Sequence, residues 1–159
     1  MNNFGDELFI SKRIRQLANL QPNQPALTDT IGRSVSYSEL NRLCDSLGNF
    51  LISAEFREKD LAGIVLPHSI EAAITVLSLM RIRSIGIFFE KTMTAKEIED
   101  TLSSHPVQWV IMNGARQAPR SISDSKFVFS GDGLDDLIVY RANKSENLFL
   151  PRKMTVGRF

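Results

Sequence analysis

The sequence is poor in the features that would assign it quickly. It has one cysteine, Cys44, which excludes an intrachain disulfide, and that residue falls on an apolar helical stripe, so a packed core thiol is expected rather than a nucleophile. A reducing cytoplasm is the compartment this composition suits. Charge of one sign is also lacking: 19 Lys and Arg balance 18 Asp and Glu, which removes the electrostatic case for nucleic acid. No run of about 18 apolar residues is present to cross a bilayer, and no basic segment leads into an apolar h-region, so no membrane association is expected. The scattered glycines Gly63, Gly86 and Gly114 form no Gly-x-Gly-x-x-Gly turn, which argues against a dinucleotide site. His68 and His105 have no cysteine or carboxylate at metal-ligand spacing. Asp132, Asp135 and Asp136 read as a solvated acidic turn, so no metal site is expected.

What is present is a regular alternation of helix and strand. At 159 residues the chain has the size of one domain with a real core. The stretch from Ser36 to Phe89 sets the pattern. Ser36-Tyr37-Ser38-Glu39 is a capping box, and Tyr37, Leu40, Leu43, Cys44, Leu47, Phe50 and Leu51 follow at helical spacing. Leu61 to Leu66 is an unbroken apolar run stopped by Pro67, as in a strand covered on both faces. Ser69 caps a second helix, apolar on most sides and therefore expected deep in the structure, and Ser84 to Phe89 resumes as strand. A crossover of this length implies parallel strands. Leu43, Leu47, Val65 and Leu77 are expected to share one core.

Around this unit, Asp6 to Leu20 reads as a helix with Ile10, Ile14 and Leu17 inward, and Ala26–Asp29 with Arg33–Val35 as a short hairpin. Thr94-Ala95-Lys96-Glu97 is a second capping box, with Ile98 and Leu102 inward, and residues 107–112 supply another strand. Residues 115–125 read as loop or frayed helix, followed by strands at Lys126–Phe129 and Leu137–Tyr140. Trp109 and the phenylalanines at 88, 89, 127 and 129 are expected in core packing. The expected fold is a layered α/β domain, its mostly parallel sheet flanked by helices, over residues 1–140, with a basic tail over 141–159.

Gly32-Arg33-Ser34-Val35-Ser36-Tyr37-Ser38-Glu39-Leu40-Asn41 resembles the opening motif of the adenylate-forming superfamily, Leu-Thr/Ser-Tyr-x-Glu-Leu, with Val35 in place of Leu. This superfamily includes acyl-CoA synthetases and the adenylation domains of nonribosomal peptide synthetases. Pro25-Ala26-Leu27-Thr28-Asp29 is similar to the family's Pro-Ala-Leu-x-Asp strand. Residues Glu55 to Asp60 stand where the family has Gly-Val-x-x-Gly-Asp, of which Asp60 is kept. Leu77 to Glu90 stands where it has Leu-Lys-Ala-Gly-x-x-Tyr-Val-Pro-Leu-Asp, with Arg83 for the Gly and Phe88 for the Pro. The resemblance extends over roughly residues 8 to 140.

The family's phosphate loop, Thr-Ser-Gly-Thr-Thr-Gly-x-Pro-Lys-Gly, would follow Leu137-Ile138-Val139-Tyr140. Glycines there let backbone amides approach ATP phosphates, and hydroxyls and the lysine complete the cradle. This chain reads Arg141 to Lys153 without a glycine, and Leu148, Phe149 and Leu150 are bulky. The family's adenine and ribose contacts, acyl pocket and catalytic lysine would lie beyond Phe159. The resemblance therefore implies a catalytically incomplete module with no catalytic residues and no cofactor of its own, ATP and magnesium entering only if a partner completes the site. Three functions stand open: a non-catalytic interaction module in acyl or amino acid activation, one half of a split adenylate-forming ligase, or an unrelated small-molecule-binding α/β domain. A homodimer or a biosynthetic partner protein is expected, with Phe88, Leu148, Phe149 and Leu150 as the candidate interface.

Overall fold

The computed structural model describes residues 9–90, 92–114, 118, 122–130, 134 and 136–142. Eleven elements follow in chain order: α1 (Phe9–Leu20), β1 (Pro25–Thr28), β2 (Ser34–Ser36), α2 (Tyr37–Ser53), β3 (Leu61–Val65), α3 (Ile70–Arg81), β4 (Ile85–Phe88), α4 (Ala95–Ser104), β5 (Trp109–Asn113), β6 (Ile122–Phe129) and β7 (Leu137–Ala142). β1 and β2 form a small antiparallel hairpin. The other strands form one sheet in the order β4-β3-β5-β7-β6. β3 pairs parallel with β4 and with β5, whereas β5–β7 and β6–β7 are antiparallel, so the α/β layering holds with a mixed sheet. The expectation of a mostly parallel sheet gives way because β7 returns by the β6–β7 hairpin rather than by a helical crossover.

Local chemistry sets the helix starts. Both capping boxes form: the Glu39 amide donates to the Ser36 hydroxyl while the Glu39 carboxylate takes the Ser36 amide, and Thr94 with Glu97 does the same for α4. The helix ends are less ordinary. α2 stops with the Glu55 amide on the Ile52 carbonyl and the Phe56 amide on Leu51, and α3 with Arg83 on Met80 and Ser84 on Leu79. This is the Schellman pattern, whose pivotal residue sits in the left-handed region. Glu55 and Arg83 occupy that position with φ of 74° and 59°, and Lys59 in the intervening turn has φ of 69°. These three residues stand where the related motifs carry glycine.

The sheet buries both faces. On one, α1, α2 and α3 bring Leu40, Leu43, Cys44, Leu47, Leu51, Ile74 and Leu79 against Ala62, Ile64, Trp109 and Ile111. On the other, Ile98 and Leu102 of α4 pack with Val65, Phe89, Val110 and Met112. Gly63 lies under Phe89 so closely that a Cβ there would stand 2.3 Å from the ring.

Several sequence expectations change. Ile10 is 42% exposed, because α1 leans inward through Ile14 and the small Ser11. Leu77 is only half-buried, packing against the cluster that holds Leu43 and Leu47, and Val65 belongs to the opposite face; Ile74 and Leu79 are α3 residues fully buried in that cluster. Strand β6 begins at Ile122, four residues before the expected start, since Ile122 pairs with Ala142 across an irregularity in the ladder. β7 runs to Ala142, two residues into the segment read as tail. Of the aromatic set, Trp109, Phe89 and Phe129 are buried as expected, but Phe88 is 48% exposed.

Candidate functional site

The described residues form a cleft of about 340 Å³ beyond the C-terminal ends of β3 and β5. Its floor is the turn Leu66-Pro67-His68-Ser69 between β3 and α3, its back Asn113 and Leu137, and its front the β1–β2 hairpin. The Asp29 carboxylate shapes that hairpin by accepting the Ile31 and Arg33 amides at 3.1 and 2.8 Å. Gly32 completes the turn at φ 85°. This geometry sends Arg33 across to Glu71 in the first turn of α3. The Arg33 Nη2 lies 2.8 Å from Oε1 and 2.9 Å from Oε2, with a well-directed hydrogen bond only to Oε2.

Glu71 is 5% exposed. Burial pushes its carboxyl up, but hydrogen bonds from its own amide and Ser69, with the Arg33 guanidinium, outweigh that and hold it below the ordinary carboxylate value. Asp29 takes the other side of Arg33 through Nε at 3.2 Å. The guanidinium is thus committed to two carboxylates, and the cleft is a polar recess without an unengaged cation from this pair.

Asn113 pairs with Leu137 and Trp109 with Arg141, so β7 leads the chain away from the cleft and delivers Arg141 beside Trp109. There Arg141 donates to the Glu55 carboxylate and lies 4.9 Å over the Trp109 ring. Trp109 itself stacks on Phe56 at 4.3 Å and donates its indole N–H to Asp60 at 2.8 Å. Asp60, the residue kept from the related turn motif, therefore has a structural duty.

The structure places the remaining candidates as follows. His68 is an exposed rim residue of the cleft, and His105 is an exposed helix cap with its Nδ1 3.1 Å from the Thr101 carbonyl. Cys44 is fully buried, and desolvation pushes its thiol up to about 11. Asp136 accepts from the Ser130 hydroxyl, while Asp132 and Asp135 lie outside the described residues. No group of His, Cys, Asp and Glu among the described residues is arranged to hold a metal ion. Phe88 is exposed on β4; Leu148, Phe149 and Leu150 lie outside the described residues. No described helix is long and apolar enough to cross a membrane. The Arg33–Glu71 pair had no sequence signal, since 38 residues separate its members.

This architecture is that of the N-terminal subdomain of adenylate-forming enzymes. It resembles the N-terminal subdomain of Klebsiella oxytoca NpsA, solved in complex with 3-hydroxybenzoyl-AMSN, with a TM-score of 0.58 and 22% identity over 64% of this chain and 26% of that one. It also resembles the O-succinylbenzoate coenzyme A synthetase MenE of Bacillus subtilis, solved with ATP and magnesium, with a TM-score of 0.60 and 18% identity over 65% of this chain and 28% of that one. A family model described as AMP-binding enzyme matches residues 14–148, and the chain belongs to that family. In sequence it is similar to a beauvericin nonribosomal cyclodepsipeptide synthetase of Gibberella fujikuroi, 27% identical over 94 residues, which are 59% of this chain and 3% of that synthetase. Family membership sets aside the reading of a domain unrelated to adenylation.

Proposed function

We propose that this chain is a non-catalytic adenylation-type module that serves acyl or amino acid activation by binding a biosynthetic partner or a second copy of itself. The observation that carries the reading is the chemistry of the segment after β7. Between Arg141 and Lys153 there is no glycine, the residue that best lets backbone amides close on a triphosphate, and Leu148-Phe149-Leu150 replaces small hydroxyl residues. The position that opens the phosphate loop is filled by Arg141, engaged with Glu55 and Trp109. ATP and magnesium are not cofactors of the chain in this reading. Contact is made through apolar side chains, exposed Phe88 on β4 together with Leu148, Phe149 and Leu150.

The test is ATP–pyrophosphate exchange with panels of carboxylic and amino acids. Exchange is expected to stay at background. Acid-dependent exchange by the pure chain would overturn the proposal. Exchange that appears only after adding a second polypeptide carrying a phosphate loop would instead establish a split ligase.

A further inference from the structure

We propose that the cleft beside the β1–β2 hairpin binds a small primary amine with an apolar body, whose ammonium takes the place of the Arg33 guanidinium on Glu71. The inference goes beyond the preceding one, since Phe88 does not line this recess.

Size and position make the recess a ligand site. Its volume of about 340 Å³ is at the small end of the range for small-molecule sites, roughly 300 to 1,000 Å³. It lies outside the carboxyl ends of the parallel strands β3 and β5. β3 is also where the strand order reverses, with β4 on one side and β5 on the other, and α3 and α4 pack on opposite faces of the sheet. Open α/β sheets hold their ligands in such a crevice.

Charge selects the ligand. The recess carries the carboxylates of Asp29 and Glu71 against the single guanidinium of Arg33, with His68 at the rim. Asp29 is occupied on both oxygens, one by the Ile31 and Arg33 amides and the other by Arg33 Nε. Glu71 is not. Its side chain is 6% exposed, and its buried Oε1 accepts no hydrogen bond although Arg33 Nη2 stands 2.8 Å away. The capacity left over is that of an ionised, buried acceptor, which an anion cannot use. A neutral donor cannot replace Arg33 either, because a carboxylate buried without a counter-charge is strongly disfavoured. An ammonium can: it brings the charge and three donors on one atom, enough to serve both oxygens.

Arg33 is placed to give way. Its side chain is 39% exposed, and it sits at a hairpin tip whose Ile31 is 87% exposed. Among the described residues, the hydrogen bonds of residues 30–33 other than the one to Glu71 run within the hairpin. On leaving Glu71 the guanidinium keeps Asp29 through Nε. Leu66, Pro67 and Leu137 then offer the apolar body of the amine its wall.

Calorimetric titration of the full chain with phenethylamine, and with phenethyl alcohol as its neutral counterpart, tests this. The amine is expected to bind and the alcohol not. Arg33→Met removes the competing cation and is expected to bind the amine about tenfold more tightly, as removal of a competing bound state does. Glu71→Gln is expected to lose binding with its circular dichroism retained. A pair that served folding alone would weaken both variants alike, so the opposed signs are the signature of the site. Where Arg33→Met is partly unfolded, the amine is expected to restore its circular dichroism, since a ligand of the native state stabilises it. Equal binding of amine and alcohol, undiminished binding by Glu71→Gln, or an Arg33→Met chain that neither binds more tightly nor is restored would overturn the proposal. Binding of a lysine-containing peptide without binding of the free amine would overturn it in favour of a protein side chain as the occupant.

Discussion

Three side chains in this protein occupy backbone positions that favour glycine. Glu55, Lys59 and Arg83 hold φ between 59° and 74°, and each stands at a glycine of the motifs that the chain resembles. The left-handed conformation costs a residue with a Cβ about 1 to 2 kcal/mol, offset in part by the greater chain entropy that glycine loses on folding. Arg83→Gly is therefore expected to stabilise the fold by about 1 kcal/mol in chemical denaturation, the salt link from Arg83 to Glu58 being exposed and of small worth. Gly63→Ala should act in the opposite direction, by about 1 to 3 kcal/mol, because the added carbon meets the Phe89 ring. Of the residues singled out in the sequence, Cys44 was placed correctly by its stripe alone. Arg33, Glu71 and Asp60 were not legible as a site or a brace, because each acquires its partner from a distant segment and leaves no local pattern.

At the level of elements, the parts with a signal inside a few residues were readable. Both capping boxes, the apolar run of β3 and the Ser69 cap of α3 fixed their elements almost to the residue. The start of β6 was not legible because Ser123-Asp124-Ser125-Lys126 has no alternation, and the strand reaches Ile122 only through the Ile122–Ala142 pair beyond an irregularity in the ladder with β7. The depth of α3 was read from composition, and composition does not rank positions on a helix. Leu79, fully buried, is expected to lose about 2 to 5 kcal/mol on truncation to alanine, and half-buried Leu77 clearly less. Acid should loosen the helix starts. Hydrogen bonding to Ser36, chiefly to its amide, holds Glu39 below its ordinary value, and Glu71 is also held low. A carboxyl depressed in the folded state stabilises above its unfolded pKa and loses that contribution as pH falls through the folded one. Stability should accordingly decline below about pH 5, with a shallower decline in Glu39→Gln and Glu71→Gln, measured by denaturant midpoints across pH.

For the whole molecule, the sequence order of helices and strands implied the layers, but not that the sheet would be half antiparallel. That depends on where β7 inserts, a choice made by pairing with β5 and β6 rather than by anything within Leu137–Ala142. The same insertion joins the parts of the fold at one aromatic group. Trp109, the sole tryptophan, stacks on Phe56 from the end of α2, bonds Asp60 ahead of β3 and lies under Arg141 of β7. Its surroundings exist only while β3, β5, β7 and the α2 terminus are all in place. The protein therefore carries its own optical reporter. Emission from this indole should be blue-shifted in the native state and move to the red on unfolding, at the same denaturant concentration as the loss of helical circular dichroism. An emission change that preceded the helical one would show β7 leaving the sheet while the helices persist.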